Sequence, residues 1–256
     1  MGSFSRVVVV VALAFASLAA AGGDEPTTSE RLGSSPSLDQ LKLGFTAMAE
    51  GRYEAALDHY QLALERASTS ELSFQANIGI GSAAAALGRL DEARAAFRSA
   101  LAIKPESAET LFSLGQVATK QERWDEAAGL FAEAAVTDPE FVDALIQLGV
   151  VYEHQGRHDE AADVCRRAVA VRPEDEEALL CLGVARYHMG LYAEASKSFA
   201  AVVERDPTNA RARYGLGLVK LFLEDRDPEK FVMWIAEVNE EYTKRIEKVF
   251  SYEKVK

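Results

Sequence analysis

Three regimes of hydrophobic and polar patterning follow one another along the chain. Behind Arg6, residues 7–21 form an apolar run with Ser17 as its one polar residue, whereas residues 22–36 are rich in Gly, Ser, Thr and Pro and show no apolar periodicity. From about residue 37 onward the apolar positions take helical spacing. Leu111, Leu114, Gly115 and Ala118, for example, are separated by 3, 1 and 3 residues and share one face of a helix. That local pattern is embedded in a longer one. Glycine recurs at Gly44, Gly81, Gly115, Gly149, Gly183 and Gly217, first after 37 residues and then four times after 34. Each of the first five glycines is followed by alanine (Ala56, Ala93, Ala127, Ala161, Ala195), then by a bulky residue (Tyr60, Phe97, Phe131, Cys165, Phe199). A small aliphatic residue comes next (Ala63, Ala100, Ala134, Ala168, Val202). A period of this length predicts an array of repeated supersecondary units.

Each unit reads as a helical hairpin. The glycine and alanine positions let two helices approach closely while the ring fills the space beside them. A break recurs between the helices, as in Gly88-Arg89-Leu90-Asp91-Glu92 and Gly156-Arg157-His158-Asp159-Glu160. Glycine ends one helix there and acidic residues favour the start of the next. Pro105, Pro139, Pro173 and Pro207 close four of the five units; the first has Ser68 in that place, which predicts a longer link. After Asp227-Pro228 the pattern changes. Phe231, Ile235, Val238, Tyr242, Ile246 and Val249 form one continuous stripe, predicting a long helix over about 229–252. It would cap the end of the array, with a length beyond that of a second helix that leaves a projecting contact open.

Blocks such as Leu145-x-x-Leu148-Gly149-x-x-Tyr152, followed by Gly156, Ala161, Ala168 and Pro173, resemble the tetratricopeptide repeat (TPR) family. The resemblance covers five full repeats (about 37–73, 74–107, 108–141, 142–175 and 176–209) and a partial one at 210–228. It implies an all-α, right-handed superhelical solenoid of stacked helix-turn-helix repeats, with a concave groove lined by the first helix of each repeat. Three rows of residues would line it. One, three residues before each glycine, is Leu41, Ile78, Phe112, Ile146, Leu180 and Tyr214; another, one residue after, is Phe45, Ser82, Gln116, Val150, Val184 and Leu218. The third, six residues before, is Leu38, Gln75, Glu109, Asp143, Glu177 and Arg211. The expected groove has an apolar floor and an acidic stripe from Glu109, Asp143 and Glu177. Its partner would be a protein or peptide segment that is apolar and neutral to basic. Coverage of part of this floor by the chain's own ends is the competing expectation. The clamp by which some family members grip a C-terminal carboxylate is not expected, because Ile, Phe, Leu and Val stand in the corresponding rows.

Candidate chemistry changes this picture little. His154 and His158 have the i, i+4 spacing of a metal pair, yet Gly156 lies between them and places them on different helices. His154 and His188 are 34 residues apart and occupy equivalent sites, expected on the concave side about 10 Å from each other as a polar groove contact, with an exported hydrolase accessory or a metal carrier built on that pair as the competing reading. No HExxH, phosphate-cradling loop or G-x-S-x-G elbow occurs. The expectation is a protein that is not an enzyme, with no metal and no cofactor. The family geometry turns Cys165 into the packing between helices and Cys181 toward the concave surface, so two free thiols are expected rather than a bridge.

The N-terminal run reads as an export signal, with Ala19-Ala20-Ala21 as a cleavage site and 22–36 as a flexible linker. At 15 residues it is shorter than the roughly 20 that span a bilayer, which leaves membrane association through a partner or an uncleaved, anchoring signal as the alternative expectation. Leu18-Ala19-Ala20 resembles the lead-in to a lipoprotein site, but Ala21 stands where the lipid-bearing cysteine is required. Export would place the protein in the periplasm or cell envelope of a bacterium. Residues 1–21 contain Arg6 as their one charged residue, so their removal changes 28 basic and 40 acidic residues to 27 and 40, and a net charge of −12 to −13. An acidic chain argues against nucleic acid as a partner. Repeat number, export signal and length also resemble envelope TPR proteins that help assemble the outer-membrane secretin of type IV pili. This adds an alternative to the general expectation of an exported scaffold for an envelope complex.

Overall fold

The computed structural model describes residues 36–223, which form eleven α-helices and, among the described residues, no strand. The fold is all-α, a helical-repeat solenoid. The chain divides at Thr137/Asp138 into two compact units. The first holds three hairpins: α1 (Pro36–Ala49) with α2 (Tyr53–Glu65), α3 (Ser70–Ala86) with α4 (Leu90–Ile103), and α5 (Ala108–Lys120) with α6 (Trp124–Thr137). The second holds α7 (Val142–His154) with α8 (His158–Val171), α9 (Glu176–His188) with α10 (Tyr192–Arg205), and α11 (Ala210–Leu223). The export signal and all but Pro36 of the linker lie outside the described residues, as does the C-terminal helix expected at 229–252. Pro36 is the first residue of α1.

All five hairpins turn by the same backbone device. In the first, Gly51 N–H donates to the Met48 carbonyl at 3.1 Å and Arg52 N–H to the Ala47 carbonyl at 2.8 Å. These are the paired bonds of a Schellman motif, which needs a left-handed residue at its centre. Gly51, Gly88, Gly156 and Gly190 supply it with φ of 72–76°. In the third hairpin Glu122 does so instead, with φ 58°, while keeping the same bonds from Glu122 to Thr119 and from Arg123 to Ala118. A side chain in this region costs about 1–2 kcal/mol, partly offset by the greater unfolded-state freedom of glycine. Glu122→Gly is therefore expected to raise stability by about 1 kcal/mol, read as a higher denaturant midpoint.

The repeat glycines act through close approach. A Cβ placed on Gly44 would lie 2.7 Å from the Tyr60 ring, on Gly81 2.7 Å from Phe97, on Gly115 2.7 Å from Phe131 and on Gly183 2.6 Å from Phe199. Each bulky residue is thus seated against the backbone of its own hairpin's first helix. Two of these rings are also covered from the first helix that follows their hairpin. Gly79 faces Tyr60 and Gly215 faces Phe199, with added Cβ positions at 2.5 and 2.6 Å. The alanines that accompany the rings are fully buried. Burial also pushes the Tyr60 phenol well above its usual pKa, so it serves as a neutral ring.

Two expectations need correction. The three extra residues of the first period do not lengthen a link. The connection 66–69 matches 104–107, 138–141, 172–175 and 206–209 in length, and α3 absorbs the insertion by growing to 17 residues. Thr69 fixes its start, its hydroxyl accepting from Leu72 N–H at 3.2 Å. The cysteines, expected as free thiols, are joined. Cys165 and Cys181 form a disulfide with Cα atoms 5.7 Å apart, within the usual bridging range.

Candidate functional site

Within each unit the first helices of successive hairpins lie side by side: α1 next to α3 and α3 next to α5, then α7 next to α9 and α9 next to α11. The rows foreseen from the period sit on these helices, but at unequal depth. In the first unit Phe45, Ile78, Phe112 and Gln116 are half-buried, whereas Leu41 is buried in the core with Leu57 and Tyr60. The Phe112 ring tilts against Phe131 with centroids 5.5 Å apart, so it is partly committed to its own hairpin. In the second unit Val150 and Tyr214 are each 37% exposed, and Val184 and Leu218 are half-buried. Ile146 and Leu180 are 5% and 2% exposed. Leu41, Ile146 and Leu180 therefore belong to the interior, not to an open floor. The period gives the direction of each side chain, and the depth depends on what packs beside it.

The acidic stripe is also modified by its neighbours. Glu109 is exposed and accepts from the Ser107 hydroxyl at 3.4 Å. Asp143 is 3.8 Å from Arg172, which comes from the link after α8. Glu177 receives two hydrogen bonds from Arg211, at 2.8 and 2.7 Å, across adjacent first helices. Arg211 is in the same row, so one member of the row neutralises another. A basic partner would have to displace that pair. Because both side chains are 58% exposed, the pair itself contributes little to stability.

The histidines meet differently from the sequence expectation. His59 bonds Gln40 across α1 and α2, with Nδ1 2.8 Å from Oε1. His188 finds His158 as its ring partner: their rings stack with centroids 4.8 Å apart and planes 15° from parallel. Glu153 joins them, 3.1 Å from His158 Nδ1 and 3.7 Å from His188 Nε2. The relevant signal was the turn itself. A Schellman motif folds the chain back, so Glu153 and His158, five residues apart across Gly156, become neighbours. The aromatic contacts continue from His188 to Tyr187, and from Tyr187 to Tyr192 and Phe222. Phe222 stacks on Tyr192 at 4.6 Å and remains 46% exposed.

These faces offer shape and apolar contact, in a fold that known proteins share. The tetratricopeptide repeat family model matches residues 41–108 and 112–178, and a second model with the same description matches 154–219. The chain belongs to the tetratricopeptide repeat family. YrrB, a TPR protein with an unusual peptide-binding site, superposes with a TM-score of 0.61 at 24% identity, over 74% of this chain and 97% of its own. PilF of Pseudomonas aeruginosa gives 0.66 at 20% identity, over 78% and 90%, and a tetratricopeptide repeat protein from Parabacteroides merdae gives 0.69 at 15%, over 80% and 81%. These likenesses establish the fold. No curated protein matches the chain.

Proposed function

We propose that this protein is an exported, non-enzymatic scaffold that holds an apolar segment of a partner protein against its first-helix faces and supports assembly of an envelope complex. The observation that carries this reading is the exposed apolar surface of Val150 and Tyr214, set beside half-buried Val184 and Leu218 on α7, α9 and α11. Water-exposed apolar side chains from two rows of the repeat, Val150 just after its glycine and Tyr214 three residues before its own, supply contact energy to a partner without any new chemistry. A peptide-binding site in YrrB is compatible with this use of the fold. Export is supported by the apolar run 7–21 and by the Cys165–Cys181 bridge, since disulfides persist in oxidising compartments. Among the described residues no helix is long and apolar enough to cross a membrane.

A second reading, assistance to assembly of a type IV pilus secretin, draws on the sequence resemblance and on the structural likeness to PilF over 90% of that chain. Ala21 in place of a lipid-bearing cysteine weighs against the lipidated form of such a factor.

The test is capture by cross-linking in the native envelope, comparing wild type with a Val150→Glu/Tyr214→Glu double variant. Exposed positions are chosen because charges at Ile146 or Leu180 would enter the core. Loss of a specific partner, with helicity and melting unchanged, is the expected result. Undiminished capture would remove this face from the mechanism, and a secretin among the lost partners would promote the second reading.

A further inference from the structure

We infer that Glu153, His158 and His188 form a site for one divalent transition-metal ion of the zinc class. Two imidazoles and a carboxylate are a donor set suited to such an ion, and three protein ligands leave a fourth position for water. Each residue offers one ligand atom, and the three atoms lie within 4.8 Å of one another. Around a tetrahedral zinc with bonds of about 2.0–2.1 Å, ligand atoms stand roughly 3.3 Å apart. The Glu153 Oε2 atom is already 3.1 Å from His158 Nδ1 and 3.7 Å from His188 Nε2. What must change is the angle between the rings. The imidazoles lie nearly parallel, whereas a shared ion has to lie in the plane of both, so one ring must turn. The His188 side chain is 45% exposed and can do so, while Glu153, 14% exposed, holds the inner side of the site.

The ligands come from three elements: Glu153 from α7, His158 from the start of α8 and His188 from the end of α9. An ion there would tie two successive hairpins together at their turns. His158 Nδ1 and the Glu153 carboxylate stand at hydrogen-bonding distance, 3.1–3.2 Å. Binding requires the nitrogen lone pair, so a proton carried on Nδ1 leaves as the nitrogen–metal bond forms.

The test uses the full chain with its disulfide intact, stripped by a chelator and titrated with Zn2+ alone by calorimetry. The expected result is one saturable equivalent, weakened at least tenfold in His158→Ala, His188→Ala and Glu153→Gln separately, and unchanged in His154→Ala. Circular dichroism of each variant establishes that it is folded. Co2+ added to the wild type should give the visible bands of a tetrahedral ion, and these should be lost in His188→Ala, whose exposed side chain can be removed without opening the core. Several weak equivalents, binding unaffected by the three substitutions, or no binding would each overturn the assignment.

Discussion

Phe131→Ala is expected to destabilise the protein by about 3–5 kcal/mol, the range for emptying a fully buried phenylalanine site. The ring is 0% exposed, and a Cβ on Gly115 would reach within 2.7 Å of it, so backbone rather than mobile side chain forms one wall of the space. Such a wall relaxes poorly. Helices α5 and α6 would have to close on each other to refill the gap, but Ala118, Ala127 and Ala134 beside it are already almost wholly inaccessible to water. Phe112, whose ring lies 5.5 Å away, is a large neighbour able to lean inward. Urea titration of the variant should show a lower midpoint with an unchanged slope, the sign of lost stability without loss of cooperativity. A cost below about 1 kcal/mol would mean that Phe112 fills the site and that the glycine–ring contact is not what joins the hairpin.

That contact explains why so much of the architecture could be read from the amino acids. Gly44 with Tyr60, Gly81 with Phe97, Gly115 with Phe131 and Gly183 with Phe199 are each a small backbone position and the ring that needs it, 16 residues apart within one hairpin every time. Turns were legible for a related reason, because a left-handed residue favours glycine. Glu122 is where that signal is absent although the turn is present. Other features were less legible. An insertion of three residues can enter a link or a helix with the same effect on the period, and the Thr69 cap places it in α3. Leu180 and Tyr214 occupy the same phase, yet one is 2% and the other 37% exposed. Phase fixes the side a residue faces, and neighbouring side chains fix how much water reaches it. The His158–His188 stack was hidden because it joins non-equivalent positions of adjacent repeats across two turns.

The disulfide follows the same packing rule, and its removal is the second large effect expected. Cys165 occupies the ring position of its hairpin, and Cys181 the position of Gly79 and Gly215, which cover the preceding ring elsewhere. With no ring at 165, a side chain at 181 has room. A Cβ on Gly149 would meet the sulfur of Cys165 at 2.5 Å and that of Cys181 at 2.6 Å, so the two sulfurs together fill the space that a phenylalanine takes in the next repeat. The bridge closes a separation of 16 residues, for which loop-closure entropy gives about 3 kcal/mol. Reductant, or the Cys165→Ala/Cys181→Ala double substitution, is expected to cost about this much, with some further loss in the alanine variant from the space left behind. Cys165→Phe combined with Cys181→Gly should behave differently. It recreates the Phe199–Gly215 pair, so it is expected to recover most of the lost stability and to be indifferent to reductant. Denaturation of all three proteins with and without reductant decides the matter. If the Phe/Gly variant is no more stable than the alanine variant, the sulfurs do not stand in for a ring, and the bridge is a separate addition to the fold.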